Sequence, residues 1–337
     1  MSATDRPVVE RAPATRFGRV VVTGCAGFLG SHLCERLVDL GEAVLGVDCF
    51  TDYYPRRQKE ANLERLRDQR RFVLRELDLG RDPLDGLVEG VDTVIHLAAQ
   101  PGVRGSFGAS FGRYVHDNVL ATQRLLEASA AAVRTFVYAS SSSVYGNSLS
   151  YPTSEEDERA PVSPYGLTKL ATEELAKVYG RLDGMRTVGL RYFTAYGPRQ
   201  RPDMAFSRFL TSALAGEAVR ILGDGSQVRD FTFVDDVVEG TVAAARRGAT
   251  GAVYNIGGGT QVRLLDALRK IEELLGRPVE IEHLPNARGD VRRTCSDPRR
   301  AARELDFMPR VGLDEGLLRQ AEWALARHVN LPAVVAA

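Results

Sequence analysis

From Arg19 onward the chain alternates short β-branched runs with stretches whose apolar positions recur every three or four residues. Arg19-Val20-Val21-Val22-Thr23 has the pattern of a buried strand. Leu33, Leu37 and Leu40 carry a helical stripe after it, and Gly41 supplies the stop. Further strands are predicted over 43–47, 71–77, 93–97 and 135–139, with helices over 114–131 and from Pro164. Ser163 is a good helix N-cap, and proline is best tolerated at the first helical position. The alternation predicts an α/β fold, a Rossmann-type doubly wound parallel sheet with ligands at the carboxyl ends of its strands.

The strand ends carry the candidate chemistry. The first strand runs into Gly24-Cys25-Ala26-Gly27-Phe28-Leu29-Gly30 and then directly into a helix. Glycines there permit a tight turn and close backbone approach, and the helix N-terminus receives a pyrophosphate. The second strand ends in Asp48, which can accept hydrogen bonds from both ribose hydroxyls and would repel a 2′-phosphate. The expected cofactor is therefore NAD rather than NADP. Asp78 and Leu79 follow the third strand, positioned to meet the adenine. The fourth ends at Leu97, with Ala98 and Ala99 small enough for close approach.

The fifth strand delivers Ser140-Ser141-Ser142-Ser143, and Tyr165-Gly166-Leu167-Thr168-Lys169 lies downstream. On a helix, Tyr165 and Lys169 stand one turn apart on one face. Tyrosine is a weak base at neutral pH, its free pKa being about 10, and an adjacent ammonium favours the phenolate. The pair suits taking a proton from an alcohol while a hydride leaves the same carbon. A serine hydroxyl can hydrogen-bond the alcohol and the tyrosine together. Tyr-x-x-x-Lys alone is common on solvated helices. Glycine turn, Asp48, serine and Tyr-x-x-x-Lys in that order are far more specific.

Composition removes other classes. Over 337 residues, 44 Lys and Arg balance 44 Asp and Glu, so no nucleic acid or anionic membrane is expected as a partner. Residues 1–18 read as a loose tail without the apolar core of a signal peptide, and no later run is long enough to span a bilayer. Cys25, Cys34, Cys49 and Cys295 show no paired spacing; reduced thiols in a cytoplasmic protein, with no metal site, are expected. His96, inside an apolar strand, reads as a hydrogen-bonded core histidine.

On these residues the chain resembles the extended short-chain dehydrogenase/reductase family, and within it the nucleotide-sugar epimerases and dehydratases. The likeness runs from Arg19 to about Ala326. It rests on 22–31, His96-Leu97-Ala98-Ala99, Ser141-Ser142-Ser143-Val144-Tyr145-Gly146, 163–169, Leu190-Arg191-Tyr192-Phe193, Tyr196-Gly197-Pro198 and 229–236. The resemblance implies a tightly held NAD and a role for Asn118 in fixing the helices around the site. It also implies a strand over 186–193 that brings Tyr192 to Thr194 beside the nicotinamide. Residues 19–200 and 226–261 would form the cofactor domain, and 201–225 with 262–326 a smaller α/β domain covering UDP, leaving 327–337 as a tail. Arg229, Arg288 and Arg292 are candidates for the diphosphate and Asp290 for the ribose hydroxyls. A homodimer is usual in such proteins; Leu120, Leu125, Leu126, Leu170, Leu175 and Val178 are apolar positions suited either to it or to the sheet.

Similar dehydratases carry Asp-Glu where this chain has Ser142-Ser143, and the UDP-xylose-forming decarboxylases carry glutamate at Ser143. Elimination needs a further acid and base. What remains is C4 epimerisation. Gly197-Pro198-Arg199-Gln200-Arg201-Pro202-Asp203-Met204-Ala205 looks like UDP-glucuronate 4-epimerases, as do Thr194, residues 48–54 and the 100–104 segment ending in Arg104. In that group the arginine matching Arg201 meets the sugar carboxylate. Cys49 departs from the usual asparagine, and Leu222-Gly223-Asp224-Gly225 is a general epimerase form, which leaves UDP-glucose or UDP-N-acetylglucosamine open. A non-catalytic NAD-binding sensor and a net oxidoreductase are the rival readings.

Overall fold

A computed structural model describes residues 17–258 and 261–329. Its strands are β1 (Arg19–Thr23), β2 (Ala43–Asp48), β3 (Phe72–Glu76), β4 (Thr93–His96), β5 (Thr135–Ser141), β6 (Arg186–Tyr192), β7 (Thr194–Tyr196), β8 (Val219–Leu222), β9 (Val228–Phe233), β10 (Val253–Ile256), β11 (Gln261–Arg263) and β12 (Ile281–Leu284). Seven of them form one parallel sheet in the order β3-β2-β1-β4-β5-β6-β10. The chain winds outward from β1 in both directions, so a crevice opens at the carboxyl ends of β1 and β4. Val20, Val21 and Val22 are fully buried, because helices cover both faces and leave no polar side for alternation.

The helices are α1 (Phe28–Asp39), α2 (Arg56–Asn62), α3 (Phe111–Tyr114), α4 (Ala121–Ser129) and α5 (Pro164–Asp183), followed by α6 (Ala205–Ala215), α7 (Val234–Arg247), α8 (Leu264–Leu275), α9 (Arg299–Leu305) and α10 (Leu313–Val329). Residues 115–120, between α3 and α4, form a π-helical turn. There the Asn118 carbonyl accepts hydrogen bonds from Thr122 Oγ1 at 2.5 Å and Thr172 Oγ1 at 3.3 Å. The α5 signals act as read: Ser163 Oγ accepts from Gly166 N at 3.1 Å, and Gly184 closes the helix with φ +67°.

Two features lie beyond the sequence reading. β9 does not enter the large sheet; it pairs with β7 and β11 in a three-stranded sheet, while α7 after it packs on β5 and β6. β8 and β12 pair separately. Leu125 and Leu126 are fully buried against the large sheet, so their apolar character is accounted for there. Leu120 and Val178 instead face outward, as do Phe111, Val115, Val162, Leu167 and Leu182. The tail expected at 1–18 lies outside the described residues up to residue 16, and Phe17 is buried. At the other end the last helix continues to Val329, past the expected start of the 327–337 tail.

Candidate active site

A cleft of about 380 Å³, within the range of small-molecule sites, opens at the carboxyl ends of β1, β2, β4, β5 and β6. Gly24, Gly27, Phe28, Leu29, Gly30, Asp48, Asp78, Leu79, Leu97, Ala98, Ala99, Ser140, Tyr192 and Thr194 line it, as do Ser141, Ser142, Ser143, Tyr165, Lys169 and Arg201. Asn118 stands behind the wall, accepting from Gln100 N at 2.6 Å and donating to Gln100 O at 3.1 Å and Thr168 Oγ1 at 3.0 Å. It thereby ties the loop after β4 to α5.

The glycine turn is shaped for a dinucleotide. Gly24 has φ +70°, and a Cβ on Gly30 would stand 2.0 Å from the Gly24 carbonyl oxygen, so this close packing of turn on helix admits no side chain. Helix α1 begins at Gly27 without a side-chain cap, which leaves its first amides for an anion. Asp48 accepts from Ala26 N at 3.0 Å and Phe50 N at 2.8 Å, which fixes both carboxylate oxygens at the pocket wall. Burial pushes its pKa up, opposed by Lys59 and these amides. The lining fits NAD: the glycines would hold the pyrophosphate, the Asp48 carboxylate would accept from the ribose, and Leu77 to Leu79 would meet the adenine.

The segment 48–54 singled out by resemblance also lines this half, together with Lys59, which no sequence signal marked. Cys49, Thr51, Tyr53, Tyr54 and Lys59 reach the cleft. Lys59 donates to Thr51 O at 2.8 Å and Thr51 Oγ1 at 3.1 Å, and its pKa falls through burial. A short charged segment over 56–62 gave no sign that one of its cations is buried beside Asp48.

The Tyr165–Lys169 arrangement differs from the expectation in one respect. Burial raises the Tyr165 pKa, and the groups that oppose this are Arg201 and the hydrogen bond with Ser141. Lys169, buried, donates to Ala139 O at 2.9 Å, and desolvation lowers its pKa to about 8. Arg201 is thus a further cation that favours the phenolate, one the Tyr-x-x-x-Lys spacing did not announce. Ser141 Oγ also donates to Ser143 Oγ at 3.1 Å and accepts from Ser143 N at 3.1 Å, so the serines form one small hydrogen-bonded turn. The Ser140 hydroxyl is committed to Glu173 Oε1 at 2.6 Å.

His96 is a core residue. Its ring nitrogens meet Thr23 Oγ1 at 2.7 Å and Thr122 Oγ1 at 2.9 Å, and burial lowers its pKa to about 3. Cys25, Cys34 and Cys295 are buried free thiols, Cys49 is exposed, and the described residues hold no cluster with metal-binding geometry.

Of the substrate candidates, Thr194 and Arg201 reach the cleft, whereas Arg104, Arg229, Arg288, Asp290 and Arg292 do not line it. Arg229 donates to Asp290 at 2.6 Å, Arg288 lies 4.6 Å over the Phe107 ring, and Arg104 and Arg292 are exposed. Arg201 donates to both Asp203 oxygens at 2.9 Å through Nε and Nη2, and Tyr53 donates to Asp203 at 3.2 Å.

A dinucleotide cleft that ends at a half-buried tyrosine and serine backed by a buried lysine defines an enzyme that oxidises or reduces an alcohol carbon. The chain belongs to the NAD dependent epimerase/dehydratase family, whose sequence profile matches residues 20–257. It is 42% identical over 305 residues to an uncharacterized UDP-glucose epimerase of Bacillus subtilis, covering 90% of this chain and 96% of that one. It is 40% identical, with a TM-score of 0.89, to the UDP-glucuronic acid 4-epimerase of Bacillus cereus solved with UDP-glucuronic acid and NAD. That match covers 92% of this chain and 99% of the other. MoeE5, solved with UDP-glucose and NAD, is 44% identical with a TM-score of 0.81 over 93% of this chain and all of its own; it has also been solved with UDP-glucuronic acid. At this level the protein is an NAD-dependent nucleotide-sugar epimerase. No helix among the described residues is long and apolar enough to cross a membrane.

Proposed function

We propose that this protein interconverts UDP-glucuronate and UDP-galacturonate through a 4-keto sugar, without decarboxylation. One observation carries the choice of epimerisation. The lining around Tyr165, from Ala139 to Ser143 and Tyr192 to Ala195 with Arg201, contains no carboxylate; the acidic lining residues are Asp48, Asp78 and Asp117. Loss of water would need a further acid and base there, and Ser142 and Ser143 offer neutral hydroxyls.

The glycine turn and Asp48 would hold NAD, which would supply a hydride acceptor and donor for C4. Tyr165 accepts the C4 hydroxyl proton, with Ser141 bridging sugar and phenol, and returns it to the C4 oxygen after the keto sugar has turned its opposite face to the hydride. Lys169 and Ala139 hold the back of this site. A 4-keto glucuronate is a β-keto acid, and it keeps its carboxyl group only if the bond to C5 overlaps poorly with the ketone. Arg201, with Ser142, Ser143 and Thr194, is assigned that restraint. Arg229, Arg288, Arg292 and Asp290 remain the diphosphate and ribose candidates; Arg229 and Asp290 would have to part from each other, and Arg288 from Phe107, to serve. The outward apolar residues on α3 to α5 support a homodimer.

A second reading has its own support. Asp203 already occupies two nitrogens of Arg201, which lowers the positive charge a sugar meets and suits UDP-glucose. Purified protein incubated with UDP-glucuronate and no added NAD should yield UDP-galacturonate and no UDP-pentose by proton NMR. Interconversion of UDP-glucose and UDP-galactose alone would reject the glucuronate reading.

A further inference from the structure

Arg201 reaches the cleft from a turn, Gly197 to Arg201, and a turn is a weak base for a charged group unless something holds it. One residue in that turn is out of character. Arg199 has φ +65°, a left-handed conformation that strains a side chain and for which glycine is the ordinary choice. An arginine at such a position has to use its side chain. Arg199 Nη2 donates to Glu35 Oε1 at 2.7 Å and Nη1 to Ser31 Oγ at 3.4 Å, and both ends of the ion pair are largely buried.

Ser31 and Glu35 lie on α1, the helix whose first turn faces the dinucleotide. His32, between them, bonds the Pro198 carbonyl at 3.0 Å. Its pKa is lowered to about 4 by burial and then by Arg199, so it is a neutral donor at ordinary pH. On the other side, Gly197 N donates to Gln320 Oε1 at 3.0 Å, and Gln320 Nε2 donates to Gln200 Oε1 at 2.8 Å. The other charged groups around Arg199 are Arg65, which shares Glu35, and Arg327 on the last helix.

We propose that Arg199 is a positioning residue for Arg201, pinning the turn that carries it to the cofactor-binding helix. The cofactor and the sugar-facing cation are thereby held by one rigid element. The inference rests on the reading of Arg201 as the group that meets the sugar.

The test compares full-length wild type with Arg199→Gly, Glu35→Gln, Arg201→Met and the Arg199→Gly/Arg201→Met double variant. Glycine keeps the backbone of the turn, and Glu35→Gln loosens Arg199 from the other side while leaving the turn's sequence intact. UDP-glucuronate and UDP-glucose are assayed in parallel across pH. Arg199→Gly and Glu35→Gln should lower kcat/KM for the acidic sugar, relative to the neutral one, by about 10- to 100-fold, the scale of a group misplaced by an ångström. The double variant should be no worse than Arg201→Met. With either sugar the acid limb of the kcat profile, set by Tyr165, should move to higher pH in Arg199→Gly as in Arg201→Met, because both withdraw the charge that favours the phenolate. A limb and a sugar ratio that coincide with wild type in Arg199→Gly, or losses that simply add in the double variant, overturn the proposal. A wild type active on UDP-glucose alone overturns the glucuronate reading instead, and the acid limb still decides what Arg199 does.

Discussion

Lys169 donates its buried ammonium to the carbonyl of Ala139 at 2.9 Å, two residues before Ser141, the hydrogen-bond partner of Tyr165. The lysine therefore fastens α5 to the end of β5, and the spacing of tyrosine and serine depends on that junction.

Tyr165→Phe removes the proton acceptor and leaves the ring in place against Tyr114, whose ring centre is 6.3 Å away. The expected result is a fall in kcat of about 10²–10⁴-fold, the usual worth of a general base. The bound NAD released on denaturation should stay at the wild-type level. A variant with unchanged turnover would remove Tyr165 from the chemistry.

The lowered pKa of Lys169, about 8 against an ordinary lysine value near 10.5, also marks stability. The folded protein binds fewer protons at this site than the unfolded chain between those two values. Stability from this group must therefore rise with pH across that window, and below about pH 8 the cost of the buried ammonium is fully present. Relative to Lys169→Met, wild type should gain up to about 3 kcal/mol between pH 8 and 10.5, read from urea unfolding at several pH values. A difference that stays flat with pH would show that the site is not desolvated as described.

Gly30 and Gly27 should differ as alanines. At Gly30 the new Cβ meets only backbone, at 2.0 Å from Gly24 O and 2.9 Å from Cys25 Cα, and the turn has to move. At Gly27 the nearest atom is Gly24 O at 3.1 Å. Gly30→Ala should purify with little bound NAD, while Gly27→Ala keeps a larger share. Equal retention would argue that this turn does not carry the pyrophosphate.

Behind Ser140 lies a buried ion pair. Arg191 donates to Glu173 at 2.9 and 2.8 Å, and Arg191 Nη1 also donates to the Tyr145 hydroxyl at 2.8 Å. Removing one partner of such a pair leaves an uncompensated charge, so Glu173→Ala should cost about 3–5 kcal/mol. Glu173→Leu combined with Arg191→Met should recover much of that loss in denaturant melts. If the single variant were no less stable than the double one, the pair would not be a buried charge pair in solution.

The local signals were legible along the chain. Consecutive β-branched residues at Val20 to Val22, glycines at 24, 27 and 30, and the Ser163-Pro164 cap are each decided within a few residues, so the sequence by itself determined the cofactor strand, its turn and the start of α5. The serines of 140–143 and Tyr165 met in one cleft because α5 packs on β5 and β6, so its first turn stands beside the carboxyl end of β5. Tertiary structure decided the partners of the charged groups: Lys59 buried near Asp48, Arg229 on Asp290, Arg199 on Glu35, Lys169 on Ala139 O. A cation reads alike in sequence whether water or a distant carboxylate surrounds it. Its burial, and hence its pKa and its use, is set by whichever segments the fold brings against it.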